Sequence, residues 1–264
     1  MNITFLGTGT SHGVPSIDCM RTNYAYCPKD VCRLSLHDKK HRRTRSSILI
    51  QNGKDTLLVD ISADFRYQML RESIKSVDSV LLTHSHSDHI GGIPDIRSYT
   101  TDKTLTLYGS SETIESVRQS YRYIFDPATC VGGGIPKIAL SEIATTIKLC
   151  GLDITPISVS HGSLDGALGF RIGDLAYIPD IKSISDSELT KIVGVRMLIL
   201  NCLRGSPLHS THLTIAESTA LARKIAPEKC YFIHMCHDIH YKYDSVNLEP
   251  WMSFSYDGLT IELN

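Results

Sequence analysis

Seven consecutive residues constrain this chain more than any others. Thr83-His84-Ser85-His86-Ser87-Asp88-His89 directly follows an apolar strand candidate, Ser79 to Leu82. Three imidazoles and a carboxylate therefore gather where the chain leaves a sheet. Side chains alternate along extended backbone, so His84 and His86 point to the same side. Asp88 and His89 fall on the following turn and face a second position. Imidazole nitrogen and carboxylate oxygen suit Zn, Mn, Fe or Ni better than Ca or Mg. The bland alternative is a His-rich surface loop. The strand-end placement, together with the spacing, weighs against it.

Composition narrows the setting. The 264 residues carry 27 Lys plus Arg against 28 Asp plus Glu, a formal net charge of -1. That balance disfavours a protein that wraps nucleic acid by bulk charge. No apolar run approaches the length of a membrane span. Met1 to Leu6 lacks the basic and apolar segments of a signal peptide, so a cytoplasmic protein is expected. Eight Cys in this length do not make a disulfide scaffold, and reduced, buried or metal-bound thiols are expected. The 12 His invite a metal. An α/β chain of this size can form one domain, here 1–264.

Along the chain, strand candidates run from Ile3 to Leu6, Ser46 to Gln51, Thr56 to Asp60 and Leu105 to Tyr108. Residues 145–159 and 167–178 are β-rich, and Met197 to Leu200 and Tyr231 to Ile233 are short apolar strands. Residues 63–72, Ser111 to Arg122 and Thr214 to Ile225 read as helices. The second of these has a Ser cap with Glu115 in its first turn. The third is capped by Thr214 and closed before Pro227. Residues 16–45 read as an irregular stretch, and Ser253 to Leu263 as a terminal hairpin around Asp257-Gly258. Tight turns join several neighbouring strands, which predicts mixed sheets.

The H-x-H-x-D-H pattern resembles the metallo-β-lactamase superfamily. That resemblance implies an αβ/βα sandwich: two mixed β-sheets face to face, flanked by helices, with metals at one edge. It also implies further ligands at strand ends, and the sequence offers them in order: His161, Asp180 and His234. The carry-over assigns His84, His86 and His161 to one metal, and Asp88, His89 and His234 to the other, with Asp180 bridging. Singly, His161 or His234 would more often be structural.

Gly7-Thr8-Gly9-Thr10-Ser11-His12-Gly13-Val14-Pro15, the Cys cluster behind it, Arg42-Arg43 and His234-Met235-Cys236-His237 narrow the likeness. They resemble the cyclic-phosphate phosphodiesterases of the carbon–phosphorus lyase pathway, cousins of the tRNA 3′-processing nucleases. The likeness implies two divalent transition metals, Zn or Mn, whose bridging hydroxide attacks a small cyclic phosphate or phosphodiester. Asp88 would ligate a metal and orient that hydroxide. His212, just before a helix N-terminus, matches a non-ligand catalytic His and would serve as general acid or phosphate stabiliser. His209 is the competing candidate.

The resembled family also carries a structural zinc. Here Cys19, Cys27, Cys32 and His237 match its ligands, a closed Cys₃His site. The C-x7-C-x4-C spacing is looser than the family's, and leaves room for three reduced thiols and a His237 that merely packs. Cys130, Cys150, Cys202, Cys230 and Cys236 read as buried or inert.

Other signals carry less. The loop Gly7 to Pro15 lacks the Gly-Lys-Ser/Thr of a phosphate-cradling loop and reads as a turn at the site rim, where Ser11 or His12 could touch substrate. The run Lys39 to Arg45 is a solvated face or a distal-phosphate holder, with Arg42 or Arg43 as the choice. Gly132-Gly133-Gly134 suggests a mobile loop, and Trp251 reads as core. The expected partner is a small phosphate ester. Nucleic acid and membrane are not expected, and a homodimer is left open. Competing functions are a tRNA 3′-processing-type endonuclease, a thioester hydrolase or sulfur dioxygenase on the same fold, and a sensor with little turnover.

Overall fold

The computed structural model describes residues 1–130 and 132–263. The first sheet takes β1 (Asn2–Gly7), β2 (Ser47–Asn52), β3 (Asp55–Val59), β4 (Ser79–Leu81), β5 (Leu105–Gly109) and β6 (Ile138–Glu142). The second takes β7 (Ile147–Leu149), β8 (Leu152–Ser158), β9 (Leu168–Ile172), β10 (Leu175–Ile178), β11 (Met197–Asn201), β12 (Lys229–Ile233) and β13 (Met252–Phe254). The last strand, β14 (Thr260–Glu262), returns to the first sheet beside β1. Each sheet thus has seven strands, ordered β14-β1-β2-β3-β4-β5-β6 and β13-β12-β11-β10-β9-β8-β7. Both mix parallel and antiparallel pairs, as the tight turns predict.

The period-two alternation builds the layers. Ile48, Ile50, Leu57 and Val59 of the first sheet meet Phe170, Ile172, Met197 and Ile199 of the second in one buried cluster between the sheets. The alternate residues face outward. Leu49, Leu58 and Val80 pack under the helices Phe65–Arg71 and Ser111–Ser120 through Phe65, Met69 and Val117. Leu198, Leu200 and Phe232 do the same under Ile215–Ile225 through Ala222 and Ile225. The result is the expected αβ/βα sandwich.

Strand direction places the site. β3, β4, β5 and β6 are mutually parallel. In the second sheet β10 to β13 are parallel, and β8 runs with them because β9 opposes both its neighbours. The carboxyl ends of these strands share one edge, where ligands gather in open α/β sheets.

Several local expectations need correction. Ser253 to Leu263 is not a hairpin: Phe254 pairs with Phe232 in one sheet, and Thr260 with Thr4 in the other. The chain crosses between sheets at Asp257, whose buried carboxylate receives Thr8 N, Thr44 N and Arg71 Nη1 at 2.8–3.1 Å. Residues 16–45 hold two short helices, Ile17–Arg21 and Val31–Leu34. The cap of Ser111–Ser120 is Ser110, with Glu112 in the first turn, and Cys130 is exposed. The helix Ile215–Ile225 begins on a full Thr214–Glu217 capping box and ends on Ala226, as the sequence indicates. Among the described residues no helix is long and apolar enough to cross a membrane.

Candidate metal centre

The shared edge collects the candidate donors. His84 follows β4, and the single turn Ser87–Ile90 carries Asp88 and His89. His161, Asp180 and His234 follow β8, β10 and β12. His84, His86 and His161 form one group whose donor atoms lie within 4.8 Å of one another, and Asp88, His89 and His234 form another. Asp180 stands between them. Its Oδ2 is 2.9 Å from His89 Nε2, and its Oδ1 is 3.2 Å from His234 Nε2 and 3.9 Å from His161 Nε2.

This arrangement fits cations. His84 Nε2 lies 3.0 Å and His161 Nε2 3.3 Å from His86 Nδ1. Two imidazoles on one tetrahedral ion at Zn–N distances of ~2.0–2.1 Å stand roughly 3.3 Å apart. His89 Nε2, Asp180 Oδ2 and both ring nitrogens of His234 are buried without a hydrogen-bond partner. Native proteins seldom leave such atoms orphaned. Burial, reinforced by His89, pushes His84 well below the ordinary histidine range, which leaves a lone pair available. Burial alone would raise Asp180, but His234 and His89 outweigh it and hold the carboxyl far below its usual range.

The supporting residues set tautomers. His89 Nδ1 donates to Asp60 Oδ2 at 2.7 Å, which turns its Nε2 toward the site. Asp60 also accepts from Thr83 N at 2.8 Å, so it braces the backbone just before His84. His161 Nδ1 donates to the Thr211 carbonyl at 3.0 Å. Asp60 and His234 adopt left-handed backbone, with φ of 65° and 62°. Such conformations concentrate at functional sites. The sequence reading missed Asp60, which sits 29 residues from His89 in no motif.

His212 joins the cluster. Its Nδ1 is 3.1 Å from Asp180 Oδ1, and its ring stacks on His234 with centroids 4.8 Å apart. Burial pushes it down to about 4, against the pull of Asp180. Asn201, also missed, fixes both flanks: its amide donates to Pro179 O at 2.7 Å, and its oxygen accepts from Leu213 N at 2.8 Å. An amide closing the apolar strand Met197 to Leu200 was the available signal. His209 lies outside this core, with its Nδ1 accepting from Thr211 N.

A second cluster brings together Cys19, Cys27, Cys32 and His237 within 4.8 Å. The seven-residue spacer doubles back through left-handed Asn23 and Tyr24, where Tyr24 N donates to Cys19 O. His237 Nδ1 lies 3.1, 3.4 and 3.9 Å from the Cys19, Cys32 and Cys27 sulfurs. Tetrahedral zinc predicts about 3.5 Å for such a pair. Burial, with Cys32 beside it, pushes the Cys27 thiol up to about 12, a cost that a bound cation would reverse.

Arg43 is not a phosphate holder. It is 1 % exposed and spends its guanidinium on Cys236 O and Ile239 O at 2.7 and 2.8 Å. It thereby clamps the segment between His234 and His240. Ser11 O accepts from Arg45, and His12 lines a small cavity with Cys236 and His237.

The model of the beta-lactamase superfamily domain matches residues 55–235. An octanoyltransferase of Porphyromonas gingivalis is 33% identical over 98% of this chain. The chain spans only 51% of that curated relative's length. The crystal structure of a diphosphatase from the PhnP family superposes with a TM-score of 0.88 at 32% identity, covering 100% of this chain and 98% of the other. Zinc-bound PqqB from Methylobacterium extorquens shares the fold at 22% identity and a TM-score of 0.81, with 100% of both chains covered. The donors at the shared sheet edge thus sit in a chain that belongs to the beta-lactamase superfamily.

Proposed function

We propose that this chain is a binuclear phosphodiesterase acting on a small cyclic phosphate or phosphodiester. His84, His86 and His161 would hold one metal, and Asp88, His89 and His234 the other, with Asp180 shared. Bound there, two divalent transition metals, zinc or manganese, supply water activation and neutralise charge on the phosphoryl oxygens. Asp88 would help hold a metal and could accept the hydrogen bond that aims the attacking oxygen. Asp60, Thr83 and Thr211 keep the imidazoles turned to their donors. His212 serves the departing oxygen. Its ring is neutral on its own near pH 7, because burial holds it near 4. An anionic phosphate beside it favours the charged form, so a proton taken up with the substrate can be delivered to the leaving group.

One observation carries this reading: Asp180 lies between two separate donor trios, beside orphaned ligand atoms. Similarity to the PhnP-family diphosphatase supports phosphoryl chemistry, and it makes a diphosphate bond the second substrate class. The test is a parallel assay of bis(p-nitrophenyl) phosphate, a ribose cyclic phosphate, a diphosphate diester, a precursor tRNA and a thioester. Turnover is expected on the first three. Turnover of the thioester or the tRNA alone overturns the proposal.

We further propose that Cys19, Cys27, Cys32 and His237 hold a structural zinc. Elemental analysis should then find three metals per chain, and two in Cys32→Ser. A metal held at 1,000 times its Kd contributes about 4 kcal/mol. At this chain length its loss lowers Tm by roughly 8–16 °C. A Cys32→Ser protein with unchanged metal content and Tm removes the site.

A further inference from the structure

Arg43 is a buried cation with no bonded anion. Its two hydrogen bonds go to neutral carbonyls, Cys236 O and Ile239 O, and its Nε is buried without a partner. Among the described residues no carboxylate forms an ion pair with it. A buried charge is costly unless it is paired. Burial pulls the guanidinium down to about 10, against Cys236, Asp257, Cys202 and Cys32. It is therefore still charged at neutral pH.

Those four groups differ in what they can offer. Asp257 accepts from Thr8, Thr44 and Arg71, and acts on Arg43 only from beyond ion-pair distance. Cys202 and Cys236 lie outside every donor cluster, and burial pushes both thiols up, so they stay neutral. Cys32 alone belongs to a cluster that a cation would ionise. Three thiolates and a neutral imidazole on one divalent ion sum to a charge of about −1. Arg43 is braced against both sides of that cluster. Its backbone exchanges hydrogen bonds of 2.8 and 2.9 Å with Val14, which packs with Cys19 and Cys32. Its guanidinium holds Cys236 O at 2.7 Å, one residue before His237.

We propose, on the structural-metal reading above, that Arg43 is the counter-charge of the loaded Cys19, Cys27, Cys32 and His237 cluster, a positioning residue for its metal. The probe is cobalt(II), its free concentration set by a chelator. The readout is thiolate-to-cobalt charge-transfer absorption, which the other centre, without sulfur donors, cannot give. Wild type should bind one cobalt with this band. Arg43→Gln keeps an amide donor without the charge and should weaken that binding by roughly tenfold or more. Arg43→Lys keeps the charge without the fork and should stay within roughly threefold of wild type. Arg43→Met, with neither charge nor donor, should match Arg43→Gln. The proposal is overturned if Arg43→Gln binds like wild type, if Arg43→Lys is as weak as Arg43→Gln, or if Arg43→Met is far weaker than Arg43→Gln. The last two results would make Arg43 a clamp only. Should Arg43→Lys fail to fold, the comparison of Gln with Met decides. A neutral variant whose circular dichroism shows it unfolded without metal also overturns it, because the clamp would then outweigh the charge. A wild type without the band fails the structural-metal reading itself, whereas a wild-type band that Arg43→Gln leaves unmoved fails the counter-charge alone.

Discussion

Asp180→Ala is expected to take diester cleavage below detection while the Cys cluster keeps its metal. Asp180 is the carboxylate that both donor trios approach, with His89 at 2.9 Å and His234 at 3.2 Å. Its removal leaves Asp88, 3.4 Å from His89 and 3.5 Å from His234, to face the buried imidazoles without a second carboxylate. The loss should exceed the about 10²–10⁴-fold that one acid–base group contributes, because the variant forfeits cation binding as well as a contact. Metal content should fall from three per chain to one, the remaining ion being retained at Cys19, Cys27, Cys32 and His237. An Asp180→Ala protein that keeps three metals and wild-type turnover removes the shared carboxylate from the proposed site.

The second large effect is at His212. His212→Ala should lower kcat by about 10²–10⁴-fold with KM and metal content little changed, the signature of an interaction used mainly in the transition state. Leaving-group dependence separates proton donation from simple packing. p-Nitrophenolate departs without help, so its ester should suffer least. A ribose cyclic phosphate, which releases a basic alkoxide, should suffer most. Equal losses on both substrates would make His212 a phosphate contact rather than an acid, and full activity would exclude it.

The sequence exposed the site more fully than its supports. The candidate donors His84, His86, Asp88 and His89 are legible because one strand end brings all four together, and His161, Asp180 and His234 because the family resemblance implies ligands at strand ends, where each follows an apolar run. Asp60 closes a strand as well, but its role depends on β3 lying parallel to β4, a pairing that no local pattern states. Asn201 acts across two loops and is equally hidden. Arg43 looked like one more member of a basic surface run. Its burial follows from carbonyls almost 200 residues away. The terminal hairpin was misread because Asp-Gly suits a tight turn, whereas here the Asp side chain is a hub for Thr8, Thr44 and Arg71. Sheet membership of β13 and β14 is decided by such long-range bonds rather than by the turn.

The candidate donors reach the centre from opposite layers: His84 to His89 from the end of β4, and His161, Asp180 and His234 from the ends of β8, β10 and β12. A cation shared among them would rivet two sheets that otherwise meet there through side-chain packing and a few backbone hydrogen bonds, such as Leu168 N to Thr83 O at 2.9 Å. Since the unfolded chain offers no such constellation, binding draws the whole folding equilibrium with it. The resistance of this protein to heat and proteolysis would then vary with the free metal activity around it. Starvation for metal would shorten its lifetime as well as silence its chemistry.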